Sequence, residues 1–463
     1  MRKYLALVVI IAMVSFLAVG CIPGSSKDVL VIGGGGGGLV AAITAAEKGA
    51  KVVLVEKLPA LGGNTLIAAT GITASNTNLH TAERQFTVED HITRTMDAAK
   101  TDKPNIELVK ILAQQSADGF AWLQSLGLKY KLHATDNFWI IPESGHFGNQ
   151  LVAALKTEAE KNKKNLTIML DTEALELITD KNGAVIGAKV LDKKTNKTKE
   201  IRAKSVILAT GGFGNAPDLM SEYNPNFKGA FSVMSTAGPT GDGFRMALKL
   251  NAGTVDMQYH QMRPLATPGY WIRETVLSEP EIGGILVNKE AKRFAAETLS
   301  PLQLVPQILA QTGRVGYVVF DSVVAATSNG KAAIANGQMV SADTIEALAS
   351  KLGLNAEALG STVDGYNAGQ DEFGRTSMGV VQIGPFYGVE VRPSSHYTMA
   401  GLAFNKEAQI LDAAGKPISG LYGVGEVLGG LYGSGRVAGN NTMDTVVFGK
   451  IAGASAAKLA GKK

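Results

Sequence analysis

The fold of this chain is decided by the stretch Asp28-Val29-Leu30-Val31-Ile32-Gly33-Gly34-Gly35-Gly36-Gly37-Gly38-Leu39-Val40-Ala41-Ala42. Its apolar start predicts a buried parallel strand, and its glycines predict a tight turn into a helix. Gly33, Gly35 and Gly38 match the G-x-G-x-x-G spacing, in which glycine lets the backbone approach a pyrophosphate at the helix N-terminus. A dinucleotide-binding turn is therefore expected. The alternative is a glycine loop without a ligand, and six consecutive glycines leave the register open.

Three further segments repeat the pattern of a strand followed by a glycine turn. Lys51–Glu56 predicts a second strand that ends in an acid, Glu56, about 20 residues beyond the first turn, where a ribose hydroxyl would be held. The turn Gly62-Gly63-Asn64-Thr65 follows it closely. Ser205–Gly214 and Ile418–Glu426 repeat the pattern later in the chain. These turns form a set that could approach one cofactor from several sides.

Other periodic segments predict helices and one hairpin. Apolar spacing predicts helices at Asn105–Leu126, Thr344–Leu352, Ala356–Asn367 and Thr442–Leu459. The runs Thr167–Leu170 and Val185–Val190 flank Asn182-Gly183, a dipeptide typical of tight hairpin turns, so we expect the two runs to pair.

The two ends of the chain resemble each other, and the middle differs from both. Residues from Met257 to about Tyr397 hold many of the prolines, several arginines and mixed strand and helix signals. This layout predicts an α/β domain built from both termini, with a second domain inserted over it. We place the first part of the terminal domain at 27–257, the inserted domain at 258–397 and the second part at 398–463.

Bulk composition excludes some classes of protein. The 463 residues include 45% hydrophobic and 19% charged side chains, as in a soluble globular protein. The net charge of +4 is small for this length, and no dense basic run carries interleaved aromatics. Nucleic acid is therefore not expected as a main partner.

The N-terminus is typical of a targeting segment. Arg2 and Lys3 precede an apolar run, Leu5–Val19, that suits a signal peptide and is short for a membrane span. Leu17-Ala18-Val19-Gly20-Cys21 resembles a bacterial lipobox, which predicts a lipoprotein signal peptide over 1–21 and an extracytoplasmic protein anchored to the membrane through Cys21. The alternatives are ordinary cleavage near Gly20 and an uncleaved anchor. Because Cys21 is the only cysteine, we expect no disulfide, thiolate metal site or covalent c-type haem.

Several pieces together resemble one known family, the soluble fumarate reductase and urocanate reductase flavoproteins, which are relatives of the succinate dehydrogenase flavoprotein. The resemblance runs from about Asp28 to Lys458. Its carriers are Val31–Leu39, Glu56-Lys57, Gly62-Gly63-Asn64-Thr65, Ala209-Thr210-Gly211-Gly212-Phe213, Gly241-Asp242-Gly243, Asp256-Met257-Gln258-Tyr259, Ile285-Leu286-Val287-Asn288, Arg293-Phe294, His396-Tyr397-Thr398-Met399, Gly423-Val424-Gly425-Glu426, Gly435-Arg436 and Gly439-Asn440.

The resemblance implies a Rossmann-like FAD-binding domain with an α+β capping domain, and a substrate held between them against the flavin. By analogy Glu56 would bind the adenosine ribose, Thr65 would lie near the isoalloxazine and Glu426 near the ribityl chain. The other implied FAD contacts are Gly33, Gly35, Gly38, Lys57, Gly62, Gly63, Asn64, Ala209, Thr210, Gly211, Gly212, Asp242, Arg436, Gly439 and Asn440. Covalent relatives tether FAD through a histidine near this turn. Asn64-Thr65 offers none, so non-covalent FAD is expected.

Reduction of an activated C=C bond requires a hydride, an electrophilic clamp on the substrate carboxylate and a proton donor. The flavin supplies the hydride. His396 and Arg436 fall at family positions that hold a carboxylate, and a guanidinium suits this task because it can bind bidentately. The alternatives are a histidine packed at the domain joint and an arginine in a structural ion pair.

The chain departs from the family pattern at the proton path. Arg263 stands where the family has its first substrate histidine, and His260 is near but off that register. No arginine occupies the proton-donor slot, at about Ser300-Pro301, and Leu277 replaces a relay arginine. Fumarate is therefore not expected as the substrate.

Other polar residues could still move the proton. Glu274 fits the family's relay acid, and Arg273 stands beside it as a possible substitute. Tyr397, Arg263 and His260 are further candidates, each with a purely structural alternative.

These observations predict an extracytoplasmic FAD-dependent reductase of a small α,β-unsaturated carboxylate. The chain lacks haem and iron–sulfur ligands, so electrons are expected from a separate carrier, a cytochrome or a quinol-linked partner. The alternatives are a flavin-dependent dehydrogenase that oxidises CH–CH to C=C, and a flavoprotein that only transfers electrons.

Overall fold

A computed structural model describes residues 27–68, 71–228, 232–233, 235–278, 282–375 and 379–461. The predicted signal peptide and Cys21 lie outside these residues. The first half of the chain forms β1 (Lys27–Ile32), α1 (Gly36–Glu47), β2 (Val52–Val55), α2 (Gly63–Leu66), β3 (Ile72–Thr73), α3 (Val88–Ala98), α4 (Ile106–Ser125), β4 (Tyr130–Leu132), β5 (Trp139–Pro142), α5 (Phe147–Lys161), β6 (Leu166–Met169), β7 (Thr172–Thr179), β8 (Val185–Asp192), β9 (Lys197–Leu208), α6 (Pro217–Tyr223), α7 (Asp242–Leu248) and β10 (Thr254–Val255).

The second half continues in the same manner and includes the predicted helices at 344–352, 356–367 and 442–459. Its elements are β11 (His260–Thr267), β12 (Tyr270–Trp271), α8 (Thr275–Ser278), β13 (Ile285–Val287), α9 (Pro301–Leu309), β14 (Gly316–Phe320), α10 (Ser322–Ala326), α11 (Ser328–Ala335), β15 (Val340–Ala342), α12 (Ile345–Leu352), α13 (Ala356–Asn367), β16 (Phe386–Thr398), β17 (Gly401–Leu402), β18 (Gln409–Leu411), β19 (Pro417–Gly423) and α14 (Asn440–Gly461). In the described part of the chain, no helix combines the length and apolarity that a membrane crossing requires.

A parallel sheet in the order β6–β2–β1–β9–β19 forms the centre of the first layer. Strand β2 and the last four residues of β1 and β9 are buried, because α1 and α14 pack against the sheet and β7 and β8 contact β2 and β19. Strands from both ends of the chain flank β9, as expected for an α/β domain built from both termini. Helix α14 packs closely on α1, since a Cβ on Gly453 would lie only 2.4 Å from the carbonyl oxygen of Ala41.

The predicted hairpin exists at Asn182-Gly183, but the predicted partner was wrong. Strand β8 pairs antiparallel with β7, Thr172–Thr179, whereas the run at 167–170 falls within β6 and joins the parallel sheet beside β2. The reason is the connection: α5 precedes β6 as a crossover helix, and a crossover delivers a parallel strand.

The middle of the chain forms a second, antiparallel sheet in the order β12–β11–β16–β14–β13, with β15 also paired to β16. Helices α9, α12 and α13 pack against it, and its two apolar clusters contain Leu348, Leu359 and Tyr366 in one and Leu265, Phe320 and Val391 in the other. This sheet is the α+β part of the architecture.

The chain passes between the two sheets twice, and the crossings lie side by side. Val255 pairs with Gly401, and His260 pairs with Thr398. The carbonyl oxygen of Tyr259 also accepts from the backbone N–H groups of Met399 and Ala400, at 3.2 and 3.3 Å. Residues 260–263 and 396–398 therefore emerge next to each other at the joint.

Candidate active site

The glycine turn after β1 brings strand and helix as close as backbones allow. Gly33 has φ +111°, and a Cβ on Gly38 would lie 1.9 Å from the Gly33 carbonyl oxygen. No side chain caps α1 at Gly35, and Thr65 accepts only from the Gly36 N–H, so the N–H groups of Gly37 and Gly38 are left for an anionic ligand. These are the properties that a pyrophosphate-binding turn requires.

The Glu56 carboxylate fixes the shape of this turn. It is buried, and it accepts from the Gly34 N–H at 2.6 Å and from the Leu58 N–H at 2.8 Å. Its position at the end of β2 agrees with the expected place of a ribose-binding acid, a role that stays a prediction.

The second glycine turn lies directly against the first. The Gly62 N–H donates to Gly34 at 2.9 Å, and the Thr65 hydroxyl accepts from the Gly36 N–H at 3.1 Å. The Asn64 carboxamide oxygen accepts from the backbone and the hydroxyl of Thr236, both at 2.9 Å. The glycine turn after β1 and the turn at Gly62–Thr65 thus form one continuous surface, although they are separate in the sequence. Within this surface Gly63 has φ +48°.

Lys57 and Asp242 were predicted as cofactor contacts, and the structure places them together. Lys57 Nζ lies 2.6 Å from Asp242 Oδ2 and 2.5 Å from the Thr240 hydroxyl, which itself donates to Asp242 at 2.8 Å. This half-buried cluster links β2 to the start of α7.

The turn after β9 closes around Glu426. The Thr210 hydroxyl is buried without a hydrogen-bond partner among the described residues, and Gly211 has φ +73°. A Cβ on Gly212 would lie 2.0 Å from the Thr398 hydroxyl and 2.6 Å from Glu426 Oε1. Glycine is therefore required where the turn meets the joint between the sheets, and Ala209 continues directly from β9.

Glu426 is held by the end of β16. Its Oε1 accepts from the Thr398 N–H at 2.9 Å and from the Thr398 hydroxyl at 3.1 Å. Burial raises the pKa of the Glu426 carboxyl, and these hydrogen bonds partly offset the rise.

The start of α14 is tied to α3 through a buried histidine that sequence reasoning missed. Asn440 Oδ1 lies 2.9 Å from His91 Nε2, and Asn440 Nδ2 donates to the Thr95 hydroxyl at 2.9 Å. Burial lowers the pKa of His91 from 6.5 to about 4, so this histidine is neutral at pH 7. Gly439, directly before Asn440, has φ +86°, and a Cβ on it would lie 2.7 Å from the backbone carbonyl carbon of Ile72.

Arg436 stands at the joint with its charge unpaired. Its Nη1 donates to Asn441 Oδ1 at 2.5 Å, and its Nη2 donates to Gln261 Oε1 at 2.6 Å. Its guanidinium carbon lies 4.7 Å from the centroid of the Tyr397 ring, and Nε is buried without a partner. Among the described residues no carboxylate pairs with Arg436, so neutral groups orient a cation that remains free to bind an anion.

His396 lies near Arg436 and Arg263 at the joint, and the space between these three residues is called the cleft below. Its side chain is exposed to solvent, yet the surrounding protein and the positive charges of Arg436 and Arg263 lower its pKa from 6.5 to about 3. The imidazole is therefore neutral at pH 7, and it can donate a hydrogen bond to a carboxylate or carbonyl oxygen without adding a charge.

Trp271 organises the other charged groups. The Arg263 guanidinium lies over its ring at 3.7 Å, and that of Arg273 lies at 5.0 Å. The indole N–H donates to Glu274 Oε1 at 3.0 Å. Burial lowers the pKa of Arg263 to about 10, Glu274 opposes this change, and Arg436 adds to it. The predicted residues Arg263, Arg273 and Glu274 thus meet around one aromatic ring that the sequence analysis did not single out.

Tyr397 lies on the inner side of the joint, and its hydroxyl bonds to Tyr432. The Tyr432 hydroxyl donates to Asp444 Oδ2, and all three side chains are buried. Burial raises the pKa of Asp444 to about 8 and those of both tyrosines well above 10. Neither Tyr432 nor Asp444 was a candidate, because an acid within a helix repeat carries no local sign of burial.

One predicted candidate, His260, lies away from the cleft, and so do the two positions where the family pattern expects an arginine. His260 is buried among Phe213 and Phe227, with ring centroids at 5.5 and 6.2 Å, and burial lowers its pKa to about 4. A packed neutral imidazole of this kind is a poor proton donor at pH 7. Ser300 caps α9 and Pro301 is its first residue. The position where a fumarate reductase would have its proton-donating arginine is therefore the start of a helix in this protein. Leu277 is buried in the apolar core of the second sheet.

The residues present fit FAD. The N-terminus of α1, which no side chain caps at Gly35, suits a pyrophosphate. Gly33, Gly38 and Gly212 leave no room for a Cβ, as turns around a nucleotide require. The buried Thr210 hydroxyl has no hydrogen-bond partner in the described chain, and a bound ligand could provide one. The first two turns, the turn after β9 and the start of α14 meet on the side of the sheet where the parallel strands end. Ligands of doubly wound sheets bind at this edge.

Comparisons with known proteins agree with this geometry. A family described as "FAD binding domain" matches residues 28–442. The chain is 36% identical to a probable fumarate reductase of Shewanella frigidimarina, over 96% of this chain and 77% of that protein. It is 33% identical to a urocanate reductase of Eggerthella lenta, over 94% and 75%. The structure of the open conformation of a flavocytochrome c3 fumarate reductase matches with a TM-score of 0.89 at 35% identity, covering 96% of this chain and 80% of that one. The chain therefore belongs to this FAD-binding family, and it is an FAD-dependent oxidoreductase that acts on CH–CH groups.

Proposed function

We propose that this protein reduces the C=C bond of a small α,β-unsaturated carboxylate other than fumarate. The observation that carries the proposal is the pair of guanidinium groups, Arg436 and Arg263, that form no salt bridge in the described chain and lie near the neutral His396. Two unpaired cations and a neutral hydrogen-bond donor form a site for an anionic substrate.

In this proposal Arg436 binds the substrate carboxylate and His396 polarises it. Asn441 and Gln261 hold the guanidinium in place, so little side-chain entropy is lost when the carboxylate arrives. When bound and reduced by the electron carrier, FAD would supply the hydride that one carbon of the double bond receives. A proton added to the neighbouring carbon completes the saturated acid.

Arg263 is the proton donor that this geometry favours. Its pKa of about 10 makes it a stronger acid than an ordinary arginine, and it lies close to Arg436 and His396. Glu274 is held beside it through Trp271, and the exposed Arg273 connects the group to solvent. We propose that these residues return a proton to Arg263 after each turnover. A helix start at Pro301 replaces the proton-donating arginine that a fumarate reductase would use, which argues against fumarate.

We also propose non-covalent FAD, because Asn64 and Thr65 form the turn where a tethering histidine would stand. The lipobox-like segment supports an extracytoplasmic lipoprotein anchored at Cys21. Electrons would come from a separate cytochrome or quinol-linked carrier.

The test is reoxidation of the reduced enzyme under anaerobic conditions. Protein whose flavin has been reduced with reduced viologen dye is mixed with short-chain enoates, aryl enoates or fumarate. The return of the absorbance of the oxidised flavin is then followed. We expect at least one monocarboxylic enoate to reoxidise the flavin faster than fumarate does. If no enoate reoxidises it above the buffer rate, the proposal fails.

Variants assign the roles within this assay. Arg263→Gln should lower the rate of reoxidation by at least 100-fold and leave FAD content unchanged. Arg392→Gln provides the matched control, since Arg392 lies on β16 with an exposed side chain paired only to Glu390. An Arg263→Gln variant as fast as Arg392→Gln would exclude Arg263 as the donor.

A further inference from the structure

The edge of the parallel sheet opposite the cleft carries an excess of lysine. This amino edge comprises the start of β1, the residue Lys204 in β9, the last turns of α1, α5 and α14, and the residues that lead from α1 into β2 and from α5 into β6. Its basic residues are Lys27, Lys48, Lys51, Lys161, Lys163, Lys164, Lys204 and Lys458, and its acidic residues are Asp28, Glu47, Glu158 and Glu160.

This excess is a separation of charge within the body of the protein. Arg2, Lys3, Lys462 and Lys463 account for four of the 45 basic residues, so residues 27–461 contain 41 basic and 41 acidic side chains. A body without net charge that holds eight lysines against four acids on one edge must be acidic elsewhere. The amino edge therefore carries four lysines in excess of its acids, and this excess attracts a negatively charged surface.

Three of the four acids of the edge have lysine partners, and the fourth, Glu47, interacts with Lys48 and Lys450 through their charges without a salt bridge in the described chain. Asp28 pairs with Lys204 at 3.0 Å, Glu158 with Lys161 at 2.6 Å and Glu160 with Lys163 at 2.8 Å. Lys48, Lys164 and Lys458 are exposed and pair with no acid in the described chain. Their ammonium groups are the surplus charge, and a compact ammonium suits a phosphate oxygen.

The described part of the chain begins at this edge. Lys27 is the first residue of β1 and follows Cys21 by only six residues, which span at most about 21 Å when fully extended. An apolar run, Leu5–Val19, precedes Cys21. If Cys21 carries a lipid, the edge that leaves the anchor first is also the edge with the surplus lysines.

We propose that the amino edge lies on an anionic lipid surface, and that its lysines orient the protein with the cleft facing away from the membrane. The inference rests on the proposed lipid anchor. An anchor alone leaves a protein free to rotate, whereas several lysines within a Debye length, about 8 Å, of anionic headgroups hold one face down. The cleft lies where the parallel strands end, so substrate and electron carrier would approach from the aqueous side.

Orientation can be measured on the full-length lipidated chain, because acylated Cys21 leaves no other thiol. A fluorophore is attached to Thr157→Cys, beside the last turn of α5, or to Ser350→Cys on α12. The two positions are matched, since each is an exposed helical hydroxyl bonded to the carbonyl four residues earlier. Vesicles of phosphatidylglycerol and phosphatidylcholine contain a nitroxide-labelled lipid as the quencher.

We expect quenching at position 157 to exceed that at position 350 at least threefold on these vesicles. The difference should disappear in 0.5 M NaCl, on pure phosphatidylcholine and in a quadruple variant with glutamine at Lys48, Lys163, Lys164 and Lys458. A control variant with glutamine at four exposed lysines around the second sheet, Lys289, Lys292, Lys331 and Lys351, should retain it.

Equal quenching at both positions, or a quadruple variant that behaves as the parent, would overturn the inference and leave the lysines to an acidic protein partner. A protein that does not associate with vesicles in any buffer would overturn it together with the anchor. FAD absorbance and enoate-dependent reoxidation, recorded on the same samples, report separately on the proposed function.

Discussion

Replacing Gly38 with alanine adds one methyl group at the tightest point of the first glycine turn. The new Cβ would lie 1.9 Å from the Gly33 carbonyl oxygen and 3.1 Å from the Ala209 Cβ. A tolerable carbon–oxygen contact is about 3.3 Å, so β1 and α1 would have to separate by roughly 1.4 Å. Overpacking of this kind costs about 1–3 kcal/mol, which outweighs the gain of up to ~1 kcal/mol for alanine over glycine within a helix. We therefore expect a less stable protein that loses FAD.

The same substitution elsewhere provides the control. Gly360 lies within α13, and the nearest atom to a Cβ there would be Glu346 Oε1, at 3.9 Å. Gly360→Ala should stabilise the protein by about 0.5–1 kcal/mol. Urea unfolding and the ratio of flavin to protein absorbance, measured on both variants and the parent, test the argument. If Gly38→Ala keeps its FAD and the parent's unfolding midpoint, the steric reasoning about this turn is refuted.

Three further predictions follow from the site. Arg436→Lys cannot keep both hydrogen bonds, to Asn441 and Gln261. Because hydrogen bonds to charged groups contribute ~1.5–3 kcal/mol, kcat/KM for the best enoate should fall about 10- to 100-fold at unchanged FAD content. A change below twofold would contradict this prediction. Burial lowers the pKa of His91 to about 4, so between pH 6.5 and 4 only the unfolded chain binds this proton. The free energy of unfolding should therefore fall as the pH is lowered through that window, by up to ~3 kcal/mol. His91→Gln should flatten the fall in urea midpoints. Burial raises the pKa of Asp444 to about 8, so between pH 4 and 8 only the folded chain keeps this proton; stability should decline as the pH rises, and Asp444→Asn, whose side chain mimics the neutral acid, should remove that decline and not deepen it.

Local patterns in the sequence were enough for the first layer of the fold. The strand, turn and helix at residues 28–47 could be predicted because apolar runs and glycines within one short segment determine them. The pairing of β7 with β8 could not, since the residues of both runs at 167–170 and 172–179 suit a strand and only the crossover by α5 decides which of them joins the parallel sheet.

The candidate site shows the same division. Arg436, His396 and Glu426 could be named because they stand in motifs, but their partners are distant: Gln261 is 175 positions from Arg436. Nothing in the sequence marks Trp271 as the ring that holds Arg263. Contacts of this kind are set by the packing of two sheets, which a single sequence does not reveal.

The paired crossings between the two sheets determine what kind of relative motion the protein can make. A single connecting strand would permit both swinging and twisting. Here Val255 pairs with Gly401 in a two-stranded sheet, and His260 pairs with Thr398 at the end of the second sheet, so the two crossings are bonded to each other at two neighbouring points. Twisting one crossing against the other would break these hydrogen bonds, whereas bending both together would keep them. We therefore expect the second sheet to move relative to the parallel sheet as a hinge with a single bending angle.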